Sequence, residues 1–413
     1  MTHLRKFRTL AALVLALAVL VAGCFQFGRS AKIERRPIAA SINRGTLRVL
    51  KSYDPANAAD PWQVDLRGYD LSSLDVRERL KDLTYATFDA GTKWPAALPE
   101  GFNPDLIMQV GKNPGLGVNS LHIKGITGRG VGLAVIDQPL LTEHVEYKDR
   151  LKLYEEIHIP AYSAAQMHGP AVASIAVGKT VGVAPGADLY YIAEYHGDFV
   201  KSGFNWDFTW LAKSIDRILE VNKTLPVKRK IRVISISVGW SPEAKGYAEV
   251  VEAVNRAREA GLFVVSSSLY QTYGFYFHGL GRDPGADPEK AASYEAGLWW
   301  ANTAYSGTWS SRLNEAGFGE DQILLVPMDS RTTASPTGAE DYVFYRSGGW
   351  SWSIPYIAGV YALACQVKPS ITPETFWKAA LATADPLEVT KDGKTFRLGR
   401  VVNPVKLIDS LKR

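Results

Sequence analysis

The chain has 413 residues, 46% hydrophobic and 22% charged, with a formal net charge of +5. This is the composition of a folded globular protein long enough for one large core with smaller flanking parts. Arg5, Lys6 and Arg8 lie in an opening segment without acids, so its removal leaves +2, a balance that argues against a nucleic-acid partner.

Residues 1–23 read as an export signal: a basic start, then an apolar run over 10–21 that is too short and wrongly flanked for a confident membrane span. The run ends in Leu20-Val21-Ala22-Gly23-Cys24, which resembles the bacterial lipobox, where small residues precede a cysteine that is lipid-modified. An uncleaved anchor or an ordinary signal peptide are the alternatives. The expectation is a lipoprotein held to the membrane through acyl chains on Cys24, in the cell envelope and outside the cytoplasm. Cys365 is the other cysteine, so an internal disulfide in the mature protein is excluded; its apolar surroundings mark it as a buried small side chain. No Cys/His spacing suggests a zinc site.

Residues 24–45 are basic and poorly patterned, as suits a tether. Residues 46–125 hold a weakly periodic stretch (Leu66, Leu71, Leu74, Val76, Leu80, Leu83) and a loop-like run over 95–117. They read as an N-terminal extension, a pro-segment or a small domain. From about residue 126 to 390 the texture becomes strand–loop–helix, with 391–413 as a tail packed on that body. Buried strands are expected at 131–136, 189–193, 233–238 and 262–267. Between them, Phe208, Leu211, Ile215, Ile218 and Leu219 share one helical face, and Val250, Val251, Val254 and Ala257 share another that ends at Gly261. Such alternation predicts a mainly parallel α/β sheet with helices on both faces, and ligands at the strands' carboxyl ends.

Three segments carry chemistry there. Asp137 ends the first strand; alone, such a residue is more often a cap or turn. His168 opens a run of small apolar residues, with Pro170 suited to a first helical turn. Ser351 follows Gly348 and Gly349 where the chain enters an apolar helix; alone it reads as an N-cap, and functionally as a serine beside free N–H groups.

Together, in the order Asp, His, Ser, they resemble the blocks of the subtilisin-like serine proteases, the subtilase family. Val135-Ile-Asp137 is similar to the family's aspartate strand, with His144 where a histidine often follows. His168-Gly169 with Val172-Ala173 resembles its histidine block, and Gly182-Val-Ala-Pro-Gly-Ala187 a following loop. Ile234-Ser-Ile-Ser-Val-Gly239 resembles its substrate-side strand. Gly349-Trp-Ser351-Trp-Ser-Ile-Pro355-Tyr-Ile-Ala-Gly359 is similar to its serine block. The resemblance covers roughly residues 126–385.

It implies a subtilisin-like three-layer fold and a serine endopeptidase. Ser351 would be the nucleophile, His168 the base and Asp137 its orienting carboxylate, with a polypeptide substrate laid along Ser235, Ser237 and Gly239. No cofactor or metal is expected, and the protein is expected to be a monomer. The family's oxyanion asparagine is missing from the run 263–271; Tyr270 falls at its position and Gln271, with an amide, one residue later. Gln271 or Tyr270 as replacement, backbone N–H groups alone, or low activity all follow from that gap. Trp350 and Trp352 beside the serine, with Trp206, Trp210, Trp299 and Trp300, suggest a remodelled cleft or loop packing. Two other classes fit parts of the pattern: a subtilase-like protein that binds peptides without cutting them, and a two-lobed solute-binding lipoprotein, which shares only the anchor.

Overall fold

The computed structural model describes residues 32–58, 60, 62–201, 203–315 and 317–412. The leader and Cys24 lie outside the described residues. The centre is a six-stranded sheet built from β1 (Lys32–Ile33), β2 (Gly132–Asp137), β3 (Leu151–His158), β4 (Asp188–Glu194), β5 (Ile231–Ile236) and β6 (Phe263–Ser266). Their order is β1-β3-β4-β2-β5-β6, and every neighbouring pair is parallel.

Successive residues of a strand point to opposite faces, and both faces here are covered. Leu133 and Val135 pack with helices α1 (His168–Val177) and α4 (Trp350–Val367). Ala134 and Ile136 pack with α2 (Thr209–Thr224) and α3 (Tyr247–Glu259). This is the three-layer α/β architecture that the resemblance implies. The expected strands and helices are present, with ends shifted by a few residues. Gly261 stands just beyond α3 at φ +78°, as its reading as a helix stop requires.

Besides two small two-stranded pairs, two larger sheets flank the body. One has five strands, in the order Tyr294–Ala296, Tyr276–Arg282, Ile323–Pro327, Lys394–Val401 and Asp385–Lys391. The other pairs Arg331–Ala334 with Tyr342–Tyr345, and the latter with Phe88–Asp89. The C-terminal helix Pro404–Leu411 buries Leu407 and Ile408.

Residues 46–125 contain little regular structure but possess an apolar cluster of Leu50, Val64, Leu66, Leu71, Val76, Leu83, Ala86, Phe88, Phe102 and Ile107. Phe344, from the far end of the chain, completes it. Of the stretch read as a tether, the described residues run along the globule. Lys32 and Ile33 form the edge strand beside β3, Arg35 is paired with Glu156, and the Ala40 N–H donates to the Pro336 carbonyl at 2.8 Å. Cys365 is buried inside α4, and burial pushes its thiol up to about 11. Among the described residues, no helix is long and apolar enough to cross a membrane.

Phe88 packs edge-on against Trp94 and Phe102 and tilted against Phe344, so it joins the N-terminal cluster to the main body. Phe88→Ala is expected to cost about 3–5 kcal/mol in chemical denaturation. Loss of N-terminal signal in a separate earlier transition, at unchanged main-body stability, would contradict this coupling.

Candidate functional site

Strand β2 delivers Asp137 to the carboxyl end of the sheet, where it is 2% exposed. One of its oxygens accepts from the Gln138 N–H at 2.8 Å and faces His168 Nδ1 at 2.7 Å. A carboxylate only accepts, so Nδ1 carries the ring proton and Nε2 is left as an acceptor.

His168 is the first residue of α1, and the next residue explains how its ring comes so close. A Cβ on Gly169 would sit 2.4 Å from the Gln138 carbonyl oxygen and 2.5 Å from the Tyr191 hydroxyl. Only glycine lets the helix start pack against the loop that leaves β2. His144, by contrast, is fully buried, with Nε2 at 2.8 Å from the Asp341 carbonyl and its ring stacked on Tyr147. It is part of the packing.

Ser351 is the second residue of α4. Before it, Gly349 takes φ +61° and ψ 179°, and Gly348 has Trp352 and the Met328 carbonyl where a Cβ would be. The buried Asp329 carboxylate pins this turn, accepting from the Gly348 N–H at 2.9 Å and the Leu298 N–H at 2.8 Å. Four residues into the helix, Pro355 has no N–H to give to the Ser351 carbonyl. Ser237 Oγ donates to that carbonyl instead, at 3.0 Å, and Ser351 Oγ lies 3.4 Å from the Ser237 carbonyl. The serine turn is therefore tied to the segment leaving β5. The helix start also leaves N–H groups without an intrahelical acceptor beside Ser351, a setting that favours negative charge.

Ser351 and His168 line one cavity of about 500 Å³, together with Trp62, Met167, Trp299, Ser347, Gly348, Gly349, Trp350 and Trp352. Asp137 stands behind the imidazole. A cavity of about 590 Å³ elsewhere contains none of the candidate residues. Trp352 is 3% exposed and meets the His168 ring edge-on at 5.4 Å.

The remaining expected residues are spread differently. Ser235 is buried in β5 between β2 and β6, so both its strand neighbours are taken. Ser237 and Gly239 lie past the strand's end and are half-buried. Tyr270 and Gln271 fall on the short helix Leu269–Tyr273 and do not line the cavity. Tyr270 packs on Tyr276 and Phe318, and Gln271 is exposed. Trp206 belongs to a hairpin stack with Phe204 and Phe208, away from the cavity. The cavity residues with no sequence signal are Trp62, Met167 and Ser347; Asp329 behind the turn had none either. Among the described residues, no group of three or more His, Cys, Asp or Glu is placed to hold a metal.

Comparison with known proteins bears on residues 128–301, which match the subtilase family. A probable subtilase-type serine protease of Deinococcus radiodurans is 27% identical over 306 residues, covering 65% of this chain and 39% of that protein. An extracellular serine proteinase of a Thermus strain is 27% identical over 275 residues, covering 65% of this chain and 58% of its own. The chain thus spans between two and three fifths of these relatives' length. Among solved structures, a prenylagaramide maturation protease aligns with a TM-score of 0.46 at 18% identity, over 71% of this chain and 98% of that one.

Burial raises the Asp329 carboxyl to about 6, against 3.8 for a free aspartate. Between those values the folded protein binds more protons than the unfolded chain, so this group's contribution to stability falls as pH rises. Denaturation of wild type and Asp329→Asn from about pH 4 to pH 7 is expected to show wild type losing ground to the variant across that window, then levelling. Parallel curves would rule out a raised Asp329.

Proposed function

We propose that the chain is a serine endopeptidase of the subtilase kind that cleaves polypeptides through an acyl-enzyme on Ser351, a reading supported by the match of residues 128–301 to that family. The observation that carries this reading is the 2.7 Å contact between the Asp137 carboxylate and His168 Nδ1, with the other face of the imidazole and Ser351 on one cavity. In the reaction, Ser351 Oγ attacks the scissile carbonyl and His168 Nε2 takes its proton. The Asp137 carboxylate holds the Nδ1 proton and stabilises the imidazolium. Collapse of the tetrahedral intermediate breaks the C–N bond, and His168 passes the proton to the departing amine. Water then repeats the sequence, with His168 as base, to release the acid and restore the serine.

The negative oxygen of the intermediate is met by backbone N–H groups at the start of α4. This reading is supported by the positions of Tyr270 and Gln271 off the cavity. The acyl half of the substrate lies along Ser237–Gly239, the half-buried stretch beyond β5 that is hydrogen-bonded to the serine turn. The Ser351 hydroxyl faces the Ser237 carbonyl rather than His168, a looseness common before substrate arrives.

The proposal extends to location. The leader and its Leu-Val-Ala-Gly-Cys ending support export and lipid attachment at Cys24, with residues 126–390 as the catalytic body and 46–125 as an extension on it. Export agrees with the name of the Thermus relative, an extracellular proteinase.

Wild type is expected to cleave casein and to take a fluorophosphonate adduct on Ser351, both lost in Ser351→Ala. Asp137→Asn is expected to retain the fold and lose about ten-thousandfold in kcat. A folded wild type that takes no adduct would instead favour a peptide-binding protein without chemistry. For the anchor, Cys24→Ser is expected to move the protein from the detergent phase to the aqueous phase; unchanged partitioning would refute lipidation.

A further inference from the structure

Four indoles, those of Trp62, Trp299, Trp350 and Trp352, share the cavity with His168 and Ser351. Each ring is held by contacts behind the cavity. Trp352 is locked edge-on between His168 at 5.4 Å and Tyr345 at 5.1 Å. Trp299 follows Leu298, whose N–H is bonded to Asp329, and its own Nε1 donates to Met328 Sδ at 3.3 Å. It meets Trp350 edge-on at 5.5 Å and stacks on His278 at 5.1 Å. The carboxylate that pins the serine turn therefore also fixes one aromatic wall.

Trp62 comes from outside the family-matched segment. The Arg67 guanidinium lies 4.7 Å above its ring and 5.6 Å from that of Tyr345. Arg67 is itself oriented by Asp65, with Nε to Oδ1 at 2.8 Å, and its Nη1 donates to Met167 Sδ at 3.2 Å. Met167 directly precedes His168. The N-terminal wall is thus pinned to the residue beside the imidazole.

The side of the cavity follows from Ser237. That residue bonds Ser351 across the serine turn, yet none of Ser235, Ser237 or Gly239 lines the aromatic cavity. The indole box is walled instead by His168, the group that hands the proton to the departing amine, with Trp352 edge-on to its ring.

From this we infer that the four indoles form a subsite for a large apolar side chain on the leaving-group side of the scissile bond. The N-terminal region supplies Trp62 as a standing part of it. The inference rests on the peptidase reading for the word "scissile", but not for the box. Burying an aromatic or leucine side chain among such rings favours it over glycine by about tenfold or more.

The test uses peptides with one fixed acyl half and Phe, Leu, Gly or Asp immediately after the cleaved bond. For wild type, kcat/KM is expected to favour Phe and Leu over Gly by at least about tenfold. Trp62→Ala is expected to bring the Phe-to-Gly ratio toward one, and Trp62→Phe to restore most of it. Because the readout is a ratio, it does not depend on how much of each variant folds. The same peptides are titrated calorimetrically onto Ser351→Ala, which is expected to show the same order. Cleavage without discrimination at this position, discrimination only at the residue before the bond, or a ratio insensitive to Trp62→Ala each overturns the subsite and leaves the peptidase reading intact. Preferential binding of the Phe peptide with no cleavage and no fluorophosphonate adduct sinks the peptidase reading and keeps the box. Neither cleavage nor preferential binding overturns both.

Discussion

The contact between the Asp137 carboxylate and the His168 imidazole joins groups 31 residues apart, and most of the surrounding architecture exists in a form that permits it. Asp137 must end a strand in the interior of the sheet, and β2 lies between β4 and β5. Tyr191, on β4, must present its hydroxyl beneath the loop that leaves β2, where it donates to the Gln138 carbonyl. The first turn of α1 must then descend onto that carbonyl, which a side chain at position 169 would prevent. A parallel sheet covered on both faces meets these demands together, because it gathers strand ends and helix starts along one rim. A buried carboxylate costs desolvation energy, which its hydrogen bonds to the Gln138 N–H and the imidazole offset.

The serine arm follows a related logic through a missing group. A proline inside a helix usually costs stability by leaving a carbonyl without its donor. Here that carbonyl belongs to Ser351, and the gap is filled by a hydroxyl from the segment beyond β5. The same substitution of partners that repairs the helix also fixes the position of Ser351 relative to the segment beyond β5. At the other end of the turn, a carboxylate buried for the sake of two N–H groups holds Gly348 and Leu298. Local defects in one element have become the joints between elements.

This explains which parts of the molecule were legible in the amino-acid order. The continuous apolar runs of β2, β4, β5 and β6 and the helical faces of α2 and α3 are local patterns, so they were readable. The blocks around Asp137, His168 and Ser351 were readable because glycine, proline and small residues there answer close backbone approaches within a few positions. The purpose of Pro355 was not, since its counterpart Ser237 is 114 residues from Ser351. Nor was Trp62, which reaches the cavity through Arg67, Tyr345 and Met167, contacts no local pattern encodes. His144 marks the opposite case: a residue whose position resembled a motif but whose imidazole serves the packing around Tyr147. Tyr270 and Gln271, read as stand-ins for a missing asparagine, fall on the short helix Leu269–Tyr273, where Tyr270 packs on Phe318 and Gln271 is exposed.

The N-terminal region was the hardest to read, and the physical reason is also the reason it matters. Its cluster is too small to stand as a separate core, so it borrows Phe344. Its backbone is shared in the same way: Phe88 pairs in a sheet with residues near 343, Met108 accepts from Thr332, and Thr84 accepts from Arg346. At the other edge, Lys32 and Ile33 cover β3, which would otherwise present unpaired N–H and carbonyl groups. A segment held this way carries weak local periodicity, because its packing is completed by Phe344, more than two hundred positions beyond most of the cluster. Removing it would strip a sheet edge, open a core and withdraw the indole beside Ser351 at once. The wall of the cleft and the integrity of the body are therefore one structural problem, solved by the same residues.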